Sequence, residues 1–234
     1  MDHILGKHCR IFSGLILSAC LLFSLPLYSQ DEDAYSWRTG ADFYSSFVWR
    51  GSKFGDGPAV QPVIEFNKGR FTAGAWGSFD FRDYQEVDLY VSYDLPAGFK
   101  IGITDYYLPG MRYFDYSVLS GSHAFEINLK YLAGNISLDA NYILNEAGGI
   151  GSLGNDLYFQ AGYSFNYFRL FAGAGNGWHT HETGTRVNNF NVCNIGLETS
   201  KTIEITERFS IPVTGQLIFN PAKEQMFIVI GFTF

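Results

Sequence analysis

The chain has 234 residues, of which 18% are aromatic and 17% charged, and its formal net charge is −7. A chain with this acidic balance lacks the basic surface that nucleic-acid binding needs, so we expect no nucleic-acid partner. The 26 glycines and the many Tyr and Phe residues are typical of strands joined by turns and argue against a helical fold.

Residues 1–29 have the pattern of a secretory signal peptide, with a basic start, an apolar run and the small Ser29 before the expected cleavage point. The "LSAC" stretch that ends at Cys20 offers an alternative, a lipoprotein processing site. The apolar run continues past Cys20, which favours the signal peptide. We therefore expect an exported protein in which residues 30–234 form one domain. Its single cysteine, Cys193, can form no internal disulfide.

From Trp37 onward the chain reads as short strands broken by turn residues. Most of them are near the 9–11 residues that a tilted strand needs to cross a bilayer. An even number of strands is what a closed antiparallel outer-membrane barrel requires. The twelve predicted strands are 36–50, 59–67, 70–82, 85–94, 98–107, 122–132, 135–144, 155–165, 167–176, 190–203, 208–219 and 225–234.

Several of these strands alternate apolar and polar residues, as "EVDLYVSY" does over residues 86–93. Alternation alone fits two structures, because a soluble sandwich turns its apolar face inward and a membrane barrel turns it outward. The connections separate the two. Long connections such as 108–121 and 177–189 alternate with short ones such as 95–97 and 133–134, as they do in outer-membrane barrels.

Aromatic residues collect on the apolar faces beside the short connections. We expect one aromatic ring at this interface, with members from other strands at the opposite one. The first set is Phe66, Phe71, Phe99, Tyr131, Tyr163, Phe168, Phe209 and Phe234, and the second is Phe47, Trp49, Phe81 and Phe219. The sequence therefore predicts a transmembrane antiparallel up-and-down β-barrel of about twelve strands in the outer membrane of a Gram-negative bacterium.

The last ten residues, "QMFIVIGFTF", place apolar side chains at alternate positions up to Phe234. We expect this strand to pair with strand 36–50 and close the barrel, because lipid cannot satisfy the polar groups of an open edge. A terminal aromatic after such a pattern also resembles the signal that outer-membrane assembly machinery recognises. The expected partners are therefore that machinery, through Phe234, and outer-membrane lipid.

The stretches "SSFVWRG", "GPAVQPVIEF", "FTAGAWGSFDF", "EVDLYVSY" and "YYLPG", within about residues 45–110, resemble a family of uncharacterised bacterial outer-membrane β-barrel proteins. Shared elements are an aromatic-Arg-Gly at the first loop, a Pro-Ala-x-Gln that opens the second strand and a strand with the pattern acidic-x-Asp-Leu-Tyr. The resemblance implies a location and a fold, and it supplies no substrate or catalytic residue.

Side-chain parity predicts which charged residues line the lumen. Acidic residues outnumber basic ones, and bulky rings also point inward, so we expect a narrow or gated channel for small solutes that favours cations or neutral molecules. The alternative is a non-conducting structural or binding barrel, or a subunit of an envelope complex. The predicted lumen-lining residues are Glu65, Asp80, Glu86, Asp88, Lys100, Glu126, Lys130, Asp139, Arg169 and Glu198.

Two other chemistries have candidate residues. In "WHTHE", His179 and His181 share one side of an extended segment, a spacing that can hold zinc, although solvated loop histidines are commoner. A rim-located lipid hydrolase could use His123 with Ser120 or Ser122, but no nucleophile motif surrounds them. We therefore predict no enzyme, with no catalytic residue, cofactor or metal.

Overall fold

The computed structural model of the protein describes residues 35–180 and 189–234. The predicted signal peptide at 1–29, with Cys20, lies outside the described residues. No helix within the described ranges is long and apolar enough to cross a membrane. The strands are β1 (Tyr35–Tyr44), β2 (Phe47–Trp49), β3 (Ser52–Phe54), β4 (Ala59–Lys68), β5 (Phe71–Asp80), β6 (Gln85–Asp94), β7 (Phe99–Tyr107), β8 (His123–Ala133), β9 (Ile136–Ile143), β10 (Glu146–Ala147), β11 (Ser152–Leu153), β12 (Leu157–Ser164), β13 (Arg169–Gly175), β14 (Asn191–Thr206), β15 (Phe209–Asn220) and β16 (Gln225–Thr233).

Twelve of these strands form one closed barrel in the order β1-β16-β15-β14-β13-β12-β9-β8-β7-β6-β5-β4. Each strand is antiparallel to both neighbours, and barrel neighbours other than β1 and β16 follow one another along the chain. The predicted fold is confirmed, and the strand bounds agree to within a few residues except in the first strand.

The barrel closes between its first and last strands, as predicted. Phe43 lies opposite Phe232 in the β1–β16 ladder. Beyond β16, Phe234 and Ala41 exchange two backbone hydrogen bonds, with N···O distances of 2.9 and 3.1 Å. These bonds satisfy the backbone groups of both edge strands, which a lipid surround requires.

The outer wall of the barrel is apolar and exposed, whereas the inner wall is polar and largely covered. On β7 the outward Ile103 keeps 45% of its surface exposed, whereas on β6 the inward Asp88 keeps 7%. Apolar surface left in water costs about 25 cal/mol per Å². A continuous exterior of this kind therefore requires a lipid surround, and the structure is that of a membrane-spanning barrel.

One end of the barrel, called here the short-turn end, carries the turns after Lys68, Asp94, Ala133, Ser164 and Thr206. Exposed aromatic rings from neighbouring strands meet at this end, and they form the interfacial ring expected of a membrane barrel. The ring contacts, given as centroid distances, join Phe99 to Tyr131 (4.6 Å), Tyr163 to Phe165 (4.8 Å), Phe165 to Phe168 (4.7 Å) and Phe209 to Phe234 (6.2 Å).

The first predicted strand was wrong beyond Tyr44. Residues 47–54 do not continue the wall but form the hairpin β2–β3, which lines the lumen through Phe47 and Trp49. These two residues therefore do not belong to an outer aromatic ring. The apolar residues of a hairpin buried inside a barrel follow the same alternation as a wall strand, so the pattern could not separate the two.

The turn of this hairpin needs an unusual backbone. Arg50 and Gly51 both have positive φ, at 49° and 80°. A Cβ built on Gly51 would lie 1.9 Å from the carbonyl oxygen of Cys193 on β14. Only glycine fits this close approach, so Gly51 fixes the depth at which the hairpin sits against the wall.

Candidate functional site

A cavity of about 980 Å³ occupies the lumen on the side of the inserted hairpin that faces the short-turn end. Hairpin residues from Phe47 to Arg50 line one part of it. Arg38 and Lys100, which lie towards the short-turn end, also line it and keep 61% and 42% of their side chains accessible. The cavity therefore opens to solvent at the short-turn end.

The structure brings eight of the ten predicted lumen residues to this cavity: Glu65, Glu86, Asp88, Lys100, Glu126, Lys130, Asp139 and Arg169. Asp80 does not line it. Its carboxylate instead accepts hydrogen bonds from the backbone N–H groups of Asp56, Arg82 and Tyr84. These bonds order the loops at the end of β5 that lies away from the short-turn end. Glu198 accepts a hydrogen bond from Gln216 on β15 and also does not line the cavity.

The guanidinium of Arg50, at the tip of the hairpin, forms a bidentate ion pair with Glu126 on β8. Nη1 and Nη2 lie 2.6 and 2.8 Å from the two carboxylate oxygens. The side chains are 11% and 0% accessible. The rings of Trp49 and Tyr158 lie 4.2 and 4.5 Å from the guanidinium carbon, which places the cation between two aromatic faces.

Glu126 is saturated with donors. Besides Arg50, it accepts hydrogen bonds from Tyr106 Oη at 3.0 Å and from Asn128 Nδ2 at 2.5 Å. A buried carboxylate is stable only when charge and hydrogen bonds compensate its desolvation. The inner wall is therefore arranged to receive one cationic group at this point, and Arg50 supplies it.

Further contacts attach the hairpin to two other parts of the barrel wall. Phe47 packs on Trp76 of β5 at a centroid distance of 5.5 Å. At the end of β15 and in the turn after it, Asn220 Nδ2 donates to the Gly51 carbonyl at 2.9 Å, and Lys223 Nζ donates to Ser52 Oγ at 3.0 Å. The hairpin thus spans the lumen and obstructs it.

His179 lies beside the ion pair, in a one-turn 3₁₀ segment after β13 (Gly177–His179), and is 1% exposed. Its Nε2 lies 3.4 Å from Nη1 of Arg50. Arg50 can only donate, so Nε2 accepts and the imidazole is neutral. Burial lowers the pKa of His179 well below its usual range, and the nearby charges of Arg50 and Lys223 lower it further.

The residues considered for zinc binding are only partly among those that the structure describes. His181 and Glu182 lie outside the described residues. Within the described ranges, no group of three His, Cys, Asp or Glu side chains is placed to hold a metal. His179 itself is packed against the rings of Trp49 and Tyr158 at 5.4 and 5.2 Å, which is the environment of a buried structural histidine.

The charged groups around the cavity are nearly balanced, with six carboxyl groups and five cationic side chains among the described residues. Some are paired, as Arg38 is with Glu65 and Arg50 with Glu126. The acidic members are Asp42, Glu65, Glu86, Asp88, Glu126 and Asp139, and the basic members are Arg38, Arg50, Lys100, Lys130 and Arg169.

The proposed rim hydrolase does not gain support from the geometry. His123 Nδ1 lies 2.9 Å from Asp105, but Nε2 is taken by the backbone carbonyl of Tyr113, and the residue is 1% exposed. Ser120 donates to Asp115, and the hydroxyl of Ser122 donates to the carbonyl of Arg112. Neither hydroxyl contacts the imidazole, so no nucleophile and base are assembled there.

Sequence reasoning placed Arg50 on a wall strand and did not anticipate the inserted hairpin. Two signals for it are present. The pair Ser45-Ser46 interrupts the first strand, and Trp49-Arg50-Gly51 ends in a glycine that suits a tight turn. The partner of Arg50 could not be read from the sequence, because 76 residues separate it from Glu126.

The fold and the lumen define a class, a membrane-spanning β-barrel of twelve strands whose passage is obstructed by an inserted hairpin. No protein-family model and no curated protein matches the sequence. Among solved structures the chain is similar to a triple mutant and a double mutant of the Rhodopseudomonas blastica porin. Each comparison has 11% identity and a TM-score of 0.34, and covers 86% of this chain and 99% of the porin chain. At these values the similarity carries no functional argument.

Proposed function

We propose that the protein is an outer-membrane barrel of a Gram-negative bacterium that acts as a narrow, gated channel for small solutes. The hairpin β2–β3 is the gate, and the ion pair between Arg50 and Glu126 is its latch. The observation that carries the proposal is this bidentate pair, formed between a loop segment and the opposite part of the lumen wall.

A loop that merely filled the lumen would need only apolar packing, whereas this one is fixed by a desolvated charge pair. Removing one partner of a buried ion pair leaves the other charge uncompensated and costs roughly 3–5 kcal/mol. The latch therefore depends on both partners being present. It also gives the gate two distinct arrangements, since the guanidinium is either seated on Glu126 or hydrated outside it.

The solute class is proposed from the charges of the cavity. Carboxyl groups exceed cations by one among the described lining residues, and Glu86 and Asp88 have no cationic partner among them. A passage lined in this way favours cations and neutral solutes over anions. Reversal potentials in a salt gradient that showed anion preference would contradict this part of the proposal.

The experiment that tests the gate compares two ion pairs of the same lumen. Arg50→Ala removes the latch, and Arg38→Ala removes the pair with Glu65 near the short-turn end, where Arg38 is 61% accessible. In planar bilayers we expect Arg50→Ala to raise the ion conductance and Arg38→Ala to leave it near that of the unaltered protein. Equal conductance in both variants would contradict a gate at Arg50.

The second candidate is a non-conducting structural barrel. The aromatic packing of the hairpin, in which Phe47 contacts Trp76 and Trp49 contacts Tyr106, favours it. A barrel of this kind stays closed to ions even in Arg50→Ala. For either function we propose that assembly machinery recognises the C-terminal strand through Phe234.

A further inference from the structure

Glu86 and Asp88, two inward carboxyl groups of β6, lie in the cavity beside the hairpin. They are two positions apart on this strand, so their side chains share its inner face. Asp88 is 7% exposed, and its Oδ1 has no hydrogen-bond partner among the described residues. Two neighbouring carboxylates that are largely withdrawn from water repel each other, so the pair requires either a proton or a cation.

No ion pair among the described residues joins a cation to Glu86 or Asp88. Arg50 is held by Glu126, Arg38 by Glu65, and Lys100 lies 3.1 Å from Asp94. The donor to Glu86 is the neutral phenol of Tyr84, at 2.6 Å. The site is therefore an acidic pair that has a neutral donor on one side and, on Asp88, a buried oxygen without a partner beside the cavity.

Aromatic residues flank the unpartnered carboxylate. In the sheet register Asp88 lies directly opposite Trp76 on β5 and Tyr106 on β7, and all three line the cavity. Residues opposite each other on adjacent strands have Cβ atoms about 4.5–5.5 Å apart, so both rings are within reach of a group bound at Asp88. A carboxylate with aromatic side chains on both neighbouring strands suits an organic cation, which can gain cation–π attraction as well as charge pairing.

The protein already shows this mode of recognition once, a short distance along the lumen wall. The guanidinium of Arg50 is seated on Glu126 between the rings of Trp49 and Tyr158. Tyr106 connects the two places, because its hydroxyl donates to Glu126 and its backbone lies opposite Asp88. The acidic pair thus has the same kinds of residues, a carboxyl group and neighbouring aromatic side chains, without an internal cation.

We propose that Glu86 and Asp88 form a binding site for a small organic cation of the guanidinium or alkylammonium type. This inference rests on the proposed function and deepens it, because it names the solute class that the lumen recognises. On binding, the cation takes the place of the proton. The proton leaves to solvent, both carboxyl groups become carboxylates, and no covalent bond is formed or broken.

The test uses methylguanidinium as the probe and saturation-transfer NMR of its methyl protons, with the mature protein in detergent micelles. We expect binding to the unaltered protein that strengthens as the pH rises, because a proton must leave. Asp88→Asn should weaken it on the order of tenfold or more, since a charge-assisted pair is lost. Asp139→Asn, which removes another carboxyl group of the same cavity, should leave it unchanged.

Equal binding in Asp88→Asn and Asp139→Asn, or no binding at all, would overturn the proposal and leave the pair holding a proton. Full competition by an equal concentration of potassium would overturn the organic-cation assignment. If Asp88→Asn fails to fold, judged by heat-modifiable gel migration, Glu86→Gln replaces it with the same expectation. Conductance of Arg50→Ala, measured on the same preparations, separates failure of this site from failure of the gate.

Discussion

Nε2 of His179 lies 3.4 Å from Nη1 of Arg50, so an imidazole that must stay neutral shares the latch with a permanent cation. Protonation of His179 would place two positive charges side by side in a buried site. The other charged and titratable groups that face it are Glu126, which is saturated by its donors, Lys223, which adds a second positive charge, and Tyr158.

We predict that acid opens the gate. In the closed state the pKa of His179 is lowered, whereas in an open, hydrated state it returns to about 6.5. The open state therefore binds more protons, and the closed state loses stability as the pH falls below that value. Conductance should rise between about pH 6.5 and the lowered pKa.

The control for this prediction is His179→Gln, which keeps a polar side chain of similar reach and cannot titrate. Its conductance should not change over the same pH window. A pH response that persists in His179→Gln would show that a group other than His179 controls the opening.

A substitution in the hairpin turn tests its seating. Gly51→Ala places a Cβ 1.9 Å from the Cys193 carbonyl at a backbone φ of 80°, which costs roughly 1–3 kcal/mol in strain alone. We expect higher conductance and an unchanged barrel. Gly69→Ala is the matched control, because Gly69 also has a positive φ, 57°, but a Cβ there meets nothing within 4 Å.

Lipid contact is tested on the outer wall. Ile103→Arg puts a charge on the exposed face of β7, which costs roughly 2–4 kcal/mol near the middle of a bilayer. The fraction of protein that folds into lipid vesicles, measured by gel migration without heating, should decrease. The lumen-facing Ser92→Arg on the adjacent β6 should fold nearly as well as the unaltered chain. If both variants folded alike, lipid would not be what surrounds Ile103.

The sequence predicted the wall of this barrel well, for a physical reason. A strand between lipid and water alternates its side chains at every position. Three of the five short turns also contain a glycine with positive φ, Gly69, Gly98 or Gly134. The pairing of Phe232 with Phe43 follows from the need to close the edge.

The interior could not be predicted in the same way. Whether Phe47 contacts lipid or Trp76 depends on where the loop after Tyr44 turns, and apolar alternation is the same in both cases. The latch depends on Arg50 reaching a carboxylate on β8, the fourth barrel strand after β4. The height of that carboxylate in the lumen is fixed by the register of β8. Such a contact is set by the closed barrel as a whole, so no local pattern announces it.

The most direct test of the gate is a double-mutant cycle in single-channel recordings, with the unaltered protein, Arg50→Ala, Glu126→Gln and the double variant. If these two residues form one latch, either substitution breaks the same contact, so both single variants and the double variant should open to a similar extent. Independent, additive effects of the two substitutions, or four identical closed recordings, would contradict a gate held by Arg50 and Glu126.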